Sequence, residues 1–338
     1  MKKTYIIAEV GPNHQGKFEI AKDMVLQLSK IGVDAVKFQL NFPENCYSDD
    51  SFKPKYQVEN DDNPSQLEMS KKFQLSLEEH IELYHICNEN NVDYLCSAFE
   101  MKGISFLTNE LDIPYYKISS GEILTLDLLE YISKQNKSIL LSTGMATYEE
   151  IKESIDVLEK NGKKEITVLH CISNYPTPAE DVNLNVMLEI SKKFNVPVGF
   201  SDHTLGNEAA IAAVTLGATV LEKHVTFDKN AEGPDHKASS TVQEFAELVQ
   251  SIRKVEKMMG SREKIFSDQE LEIKRSVRKS IVSTRDLEEG HILSDDDICY
   301  KRPGFGIKPT DKNLILGKKT VKAINANKVI LPEFLSDE

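Results

Sequence analysis

Short, nearly continuous apolar runs recur along the chain at 4–10, 35–40, 94–99, 115–120, 138–143, 166–171, 197–203 and 219–226. Most are rich in β-branched residues, as strands buried on both faces should be. Helical patterns lie between them. Ala21, Met24, Val25 and Leu28 recur at helical spacing, and Gly32 closes that segment. Ser76 with Glu79, Thr147 with Glu150 and Thr241 with Glu244 have the capping-box spacing that starts a helix. Strand and helix thus alternate eight times over roughly 260 residues, which is the count and length of a closed (β/α)8 TIM barrel. A doubly wound sheet would have fewer repeats and a glycine fingerprint after its first strand. The first turn here is Gly11-Pro12-Asn13-His14-Gln15-Gly16, which lacks the G-x-G-x-x-G pattern.

Two stretches break the rhythm. Residues 41–75 are polar, with Pro43, Pro54 and Pro64 and an Asp/Asn cluster, and read as one long loop after strand two. Residues 261–279 are charged and weakly patterned, and read as a linker with some helix. After them, 280–338 becomes a series of short β-like runs and turns. Two pieces there look alike, Arg285-Asp286-Leu287-Glu288-Glu289-Gly290-His291-Ile292-Leu293 and Ala323-Ile324-Asn325-Ala326-Asn327-Lys328-Val329-Ile330-Leu331. The expected organisation is a barrel over 1–260, a linker over 261–279 and a small all-β domain over 280–338, the last marginal in isolation.

Composition narrows the partners. The 338 residues carry a formal net charge of −13, which argues against a nucleic acid or an anionic membrane as main partner. No stretch approaches the roughly 20 apolar residues of a membrane span. The apolar run at the start ends at Glu9, too short for a signal-peptide core, so a cytoplasmic location is expected. Five scattered cysteines without a C-x-x-C pair suggest neither a disulfide framework nor a thiolate zinc site. Most of them read as small buried hydrophobes.

In a TIM barrel the C-terminal strand ends face one site. Here those ends carry Glu9, Lys37, Gln39, Ser97, Lys117, Ser120, Ser142, His170, Ser201, Asp202, His203, Lys223 and His224. A structural barrel end has no need of so many groups that are costly to desolvate. His203 and His224 end consecutive strands. They either share a divalent cation or simply hydrogen-bond where they stand. Lys37 and Lys117, with hydroxyls nearby, suit a phosphate or carboxylate. A Schiff base on one lysine, or structural pairing with Glu9 or Glu222, are the other readings, and the number of lysines and serines favours anion binding. Asp235 lies in a Gly-Pro-Asp turn and means little by itself, whereas the Arg302-Pro303-Gly304 stretch is either a plain β-turn or an exposed loop that carries an arginine to a carboxylate or sugar.

Together these residues resemble the sialic acid synthase family, bacterial N-acetylneuraminate synthase and the related legionaminate and pseudaminate synthases. The motifs are Ala8-Glu9-Val10-Gly11, Asp34-Ala35-Val36-Lys37-Phe38-Gln39, Tyr116-Lys117 with Ser120-Gly121-Glu122, and Leu141-Ser142-Thr143-Gly144-Met145. They continue with His170-Cys171 and Tyr175-Pro176, Gly199-Phe200-Ser201-Asp202-His203, Glu222-Lys223-His224, Gly233-Pro234-Asp235-His236-Lys237 and Lys301-Arg302-Pro303-Gly304. They stand in family order over nearly the whole chain. Three positions depart from the family pattern: Cys96-Ser97-Ala98-Phe99 replaces Ser-Thr-Pro-Phe, Ser173 falls at a variable position, and Val225 stands where Phe is usual.

The resemblance implies a catalytic barrel followed by an antifreeze-like SAF domain of β-clip type. It implies condensation of phosphoenolpyruvate with an N-acetylated amino sugar. N-acetylmannosamine, giving N-acetylneuraminate, is the favoured sugar. A 2,4-diacetamido-2,4,6-trideoxymannose, giving legionaminate, is the alternative, and the pseudaminate branch fits less well. His203 and His224 would bind a divalent metal, Mn2+ or Mg2+. Lys37, Ser97, Lys117, Ser120, Ser142, Ser173 and Ser201 would hold phosphoenolpyruvate. Glu9, Gln39, Tyr175 and Asp235 would face the sugar, and of these Glu9 and Asp235 are the candidates for moving protons. Arg302 would reach the sugar from a partner subunit in a domain-swapped homodimer.

Overall fold

The computed structural model of the protein describes residues 3–162 and 165–336. It divides into two compact units, Met1–Gly260 and Ser261–Glu338. In the first, eight parallel strands follow chain order: β1 (Tyr5–Glu9), β2 (Ala35–Leu40), β3 (Asp93–Ala98), β4 (Tyr115–Ile118), β5 (Ser138–Ser142), β6 (Ile166–Cys171), β7 (Val198–Asp202) and β8 (Val220–Thr226). The last strand pairs back onto the first, Tyr5 opposite Val220 and Glu9 opposite His224, so the sheet closes as the TIM barrel that the alternation predicts. A two-residue strand, β9 (Ser240–Thr241), pairs in parallel with the end of β8.

The apolar runs are continuous because both faces of each strand are buried. Ile7, Ala35, Leu95, Leu140, Leu169 and Val220 fill the barrel interior. Their sequence neighbours, such as Ile6, Ala8, Val36, Ile139 and Leu141, pack outward against the helices. Truncating one of these, for example Leu140→Ala, removes a buried side chain worth about 2–5 kcal/mol. The outer ring comprises α1 (Phe18–Leu28) after β1 and, past the excursion that follows β2, α5 (Leu77–Glu89). It continues with α6 (Met101–Glu110), α7 (Leu126–Ser133), α8 (Tyr148–Glu159), α9 (Asn185–Phe194), α10 (Glu208–Thr215) and α11 (Val242–Met259). Helix α1 buries Ala21, Met24, Val25 and Leu28, and the chain leaves it through Gly32 at φ 85°, a left-handed turn that glycine adopts without a Cβ penalty. All three expected capping boxes form, at the starts of α5, α8 and α11.

Segment 41–75 differs from the expected loop. It carries three short helices, α2 (Pro43–Cys46), α3 (Lys55–Asn60) and α4 (Gln66–Lys72). They are too short for helical periodicity to register, and tertiary bonds hold them. Lys53 Nζ donates to Asp61 Oδ1 at 2.9 Å and to two backbone carbonyls. Asn60 donates to Pro234 O at 3.2 Å and Lys72 pairs with Glu232 at 2.6 Å, so the excursion is tied to the loop after β8.

The second unit begins with α12 (Asp268–Val277), within the stretch read as a linker. Strand β10 (Ser280–Ser283) pairs antiparallel with β11 (Ile298–Lys301), and β12 (Lys319–Thr320) with β13 (Leu335–Ser336). The two similar sequence pieces meet each other: the Leu287 and Ile324 backbones exchange both hydrogen bonds at 2.8 Å. Gly290 and Asn327, at matching places in the two pieces, both turn the chain at positive φ. Ile281, Leu287, Leu293, Ile324 and Ile330 form the unit's own core. Among the described residues no helix is long and apolar enough to cross a membrane.

Candidate active site

Side chains alternate across a strand, so residues two apart share a face. That rule brings Glu9, Lys37, Gln39, Ser97, Lys117, Ser142, Ser201 and His224 to the inner, C-terminal end of the barrel, where they line a cavity of about 840 Å³. Ser120, Ser173, Tyr175, His203 and Asp235 come from the loops beyond and line the same cavity. Of the site residues that the resemblance implies, all but Arg302 are therefore brought together. Arg302 belongs to the second unit, exposed just after β11.

The floor is a buried array of alternating charge. Lys37 Nζ lies 2.9 Å from Glu9 Oε2 and 3.7 Å from Glu222 Oε2. Lys117 Nζ lies 3.5 Å from Glu222 Oε1 and donates to Ser142 Oγ at 2.8 Å. Lys37 also donates to Ser97 Oγ at 3.1 Å, and Ser201 Oγ donates to Glu222 at 3.0 Å. Burial disfavours each charge, and the neighbours decide the outcome. Burial works against the Lys37 cation, but the Glu222 and Glu9 carboxylates outweigh it and raise its pKa. Lys117 is lowered by burial, which Glu222 alone only partly offsets. Glu222 stays a carboxylate despite burial because Lys117 and Lys37 flank it. Glu9 is raised by burial.

Beside this floor three hydroxyl- or thiol-bearing loops converge. Gly144 N donates to Ser120 Oγ at 2.9 Å and to Cys171 Sγ at 3.1 Å. A Cβ on Gly144 would stand 2.3 Å from Ser173 Oγ and 2.9 Å from Ser120 Oγ. Only glycine lets these groups close around one point, a cradle suited to an anion's oxygens.

The His203 and His224 rings line the same cavity and lie 5.6 Å apart. His203 Nδ1 meets the Ile172 carbonyl at 2.7 Å, so this nitrogen carries the proton and Nε2 keeps its lone pair. His224 Nδ1 is buried with no hydrogen-bond partner, 3.8 Å from Asp235 Oδ2. Burial holds both imidazoles neutral, and each therefore offers a lone pair. Two neutral imidazoles with an unmet buried nitrogen fit a divalent metal. Among the described residues no third His, Cys, Asp or Glu completes a cluster, so water and substrate oxygens would fill the other positions. Asp235 is pushed up to about 7, by burial first and then by the Glu9 charge.

Three strand-end residues prove to face away from the site. His170 bonds the Val182 carbonyl at 2.8 Å and stacks on Phe200. Lys223 and Asp202 pair with each other at 2.7 Å on the outer face. Glu222, considered from sequence only as a structural partner for a lysine, sits at the centre of the floor. The signal was available, since it lies two residues before His224. Cys171 is buried, as expected of most cysteines here, but it also accepts from Gly144. Tyr56, from the excursion, stacks on Tyr175 at 5.1 Å, and Tyr175 in turn lies 4.2 Å from His203. No periodicity could have announced Tyr56.

Lysines and hydroxyls gathered this deep in a closed (β/α)8 barrel are the means by which a barrel enzyme grips an anionic substrate. The chain is an enzyme of one such group: residues 24–264 match the NeuB family, residues 278–336 match the SAF domain, and the protein belongs to the NeuB family. It is 43% identical to the N,N'-diacetyllegionaminic acid synthase of Campylobacter jejuni subsp. jejuni serotype O:2, over 98% of this chain and 99% of that protein. It is 38% identical to the protein of the same name from Legionella pneumophila subsp. pneumophila, over 98% and 94% of the two chains. The solved structure of N-acetylneuraminic acid (sialic acid) synthetase from Leptospira borgpetersenii serovar Hardjo-bovis, in complex with citrate, superposes with a TM-score of 0.72 at 28% identity, covering 80% of this chain and 90% of that one.

Proposed function

We propose that the protein condenses phosphoenolpyruvate with the open-chain aldehyde of 2,4-diacetamido-2,4,6-trideoxymannose and water, giving N,N'-diacetyllegionaminate and phosphate. The observation that carries this reading is 43% identity, over nearly the full length of both chains, to a protein named for that product. The sequence motifs by themselves ranked N-acetylmannosamine first. The weight moves to the diacetamido sugar because the neuraminic relative described above is only 28% identical.

In this reading Lys37, Lys117 and the hydroxyls of Ser97, Ser120, Ser142, Ser173 and Ser201 hold phosphoenolpyruvate. Gln39 and Tyr175 hold the sugar beside it. A divalent cation, Mn2+ or Mg2+, held by His203 and His224 would polarise the aldehyde carbonyl and stabilise the charge that develops on its oxygen. The enol C3 supplies the electron pair of the new carbon–carbon bond, and the aldehyde oxygen takes up a proton. Water adds to C2 and loses a proton. The C2–O bond then breaks with its electrons on phosphate, and the phosphate takes up the proton that the C2 hydroxyl gives up, leaving the 2-keto acid. Glu9 and Asp235 are the groups for those proton movements, since burial raises both pKa values, that of Asp235 to about 7. The family resemblance adds a cytoplasmic homodimer in which Arg302 serves the neighbouring subunit's sugar site.

One observation favours a second reading. Burial lowers the pKa of Lys117, as an amine nucleophile of a Schiff-base aldolase requires. Its bond to Ser142 and its pairing with Glu222 support a binding role instead. The deciding experiment incubates the protein with phosphoenolpyruvate, Mn2+ and either the diacetamido sugar or N-acetylmannosamine, and measures phosphate release. Faster release with the diacetamido sugar is expected, and no release with either would overturn the proposal.

A further inference from the structure

The outer part of the cavity is formed by the 41–75 excursion, and its chemistry differs from the charged floor. Tyr56, Met69 and Phe73 provide apolar lining there, and Gln57 lines the cavity beside them. The Gln57 amide donates through Nε2 to Tyr56 Oη at 3.1 Å, while its buried Oε1 has no partner. Turning the amide over exchanges the two atoms and still leaves one unpaired. A buried amide atom without a partner is costly in the free protein and is satisfied when a ligand supplies the complement.

An apolar aromatic wall beside an unmatched amide atom is the complement of an acetamido group, whose methyl is apolar and whose N–H and C=O are not. We infer that Tyr56 and Gln57 form a pocket for the second acetamido group of the sugar, the one at C4, and so select a diacetamido substrate over a monoacetamido one. The position agrees. An aldehyde carbon at His203 and His224 leaves the C2 substituent beside Tyr175, which lies 4.2 Å from His203. Tyr56 stands one ring farther out, stacked on Tyr175 at 5.1 Å and 27°. Discrimination of this kind is strong, because a sugar that lacks the amide leaves the site's own polar atom unpaired.

The inference rests on the synthase reading, and its test separates the two. The wild-type protein is assayed with phosphoenolpyruvate and Mn2+ on 2,4-diacetamido-2,4,6-trideoxymannose and on 2-acetamido-2,6-dideoxymannose, which differ only at C4. A kcat/KM at least about tenfold higher for the diacetamido sugar is expected. Release from both sugars at rates within twofold keeps the synthase reading and overturns the pocket. Release from neither overturns both. Gln57→Met, similar in size but without the amide, should bring the ratio of the two kcat/KM values toward one. A ratio left at its wild-type value would remove Gln57 from the pocket. The wild-type comparison stands whether or not the variant folds.

Discussion

Lys37 Nζ lies 2.9 Å from Glu9 Oε2, and water reaches almost none of either side chain, at 4% and 1% exposure. Gln39 Nε2 holds the other Glu9 oxygen at 2.7 Å. The carboxyl group is thus fixed at the edge of the cavity, with burial raising its pKa against the pull of Lys37. A group so placed stands where it can exchange a proton with substrate. Glu9→Gln keeps the shape and removes the exchange. It should lower kcat by about 100-fold or more at saturating substrates. Near-wild-type turnover would show that Glu9 only positions Lys37.

Asp235 gives a pH signature. Its pKa rises from the ordinary 3.8 to about 7 on folding, through burial and then Glu9. The folded chain therefore binds this proton more tightly than the unfolded chain. Stability linked to Asp235 is complete below about pH 4 and is lost as pH climbs through 7. In chelator-treated protein, Asp235→Asn should be more stable than wild type above pH 7, by a few kcal/mol at most. The difference should shrink to nothing toward pH 4. Thermal melts across that range check it, and a gap independent of pH would contradict the burial argument.

The barrel and its floor were legible because both follow from repetition. Runs buried on two faces declared the strands, and the period of two placed Lys37, Lys117, Ser142 and His224 on the inner side. His170 and Lys223 misled because a polar strand-end residue can equally turn outward to a carbonyl or a counter-ion. What was not legible lies in the excursion. Segment 41–75 is held by Lys53 across its own turn and by Asn60 and Lys72 reaching the loop after β8, and helical periodicity carries no trace of such contacts. Tyr56 entered the site by that route.

The serine cradle depends on a missing side chain. Because a Cβ at Gly144 would come within 2.3 Å of Ser173 Oγ, Gly144→Ala must displace a hydroxyl from the anion site. The backbone there needs no left-handed turn, so the fold should tolerate the change. The expected result is a KM for phosphoenolpyruvate raised about tenfold or more, with a destabilisation of only about 1–3 kcal/mol from overpacking. An unchanged KM would place the phosphate elsewhere.

The bottom of the barrel is latched by a different pair. Asp34 Oδ2 accepts from Ile6 N at 2.9 Å and from Arg253 Nη2 at 2.6 Å, joining the starts of β1 and β2 to α11. Arg253→Ala should cost about 1 kcal/mol, since the pair is partly exposed. Asp34→Ala should cost about 1–3 kcal/mol, because it also leaves the Ile6 N–H without its acceptor. Urea denaturation of both variants and the double variant gives the coupling, and equal losses would mean the backbone bond contributes nothing.

The two histidines decide between metal-assisted and Schiff-base chemistry. Both are neutral and one has a buried nitrogen with no partner, a state that a cation relieves. Treatment with a chelator should abolish phosphate release, and Mn2+ or Mg2+ should restore it. The same cation at about 100 times its dissociation constant should stabilise the wild-type fold by about 2.7 kcal/mol. His203→Ala and His224→Ala should lose both the activity and that stabilisation. Borohydride added during turnover should leave wild-type activity intact, because Lys117 forms no imine. Activity that survives the chelator and is lost irreversibly to borohydride would transfer the chemistry to Lys117 and leave the histidines a structural part.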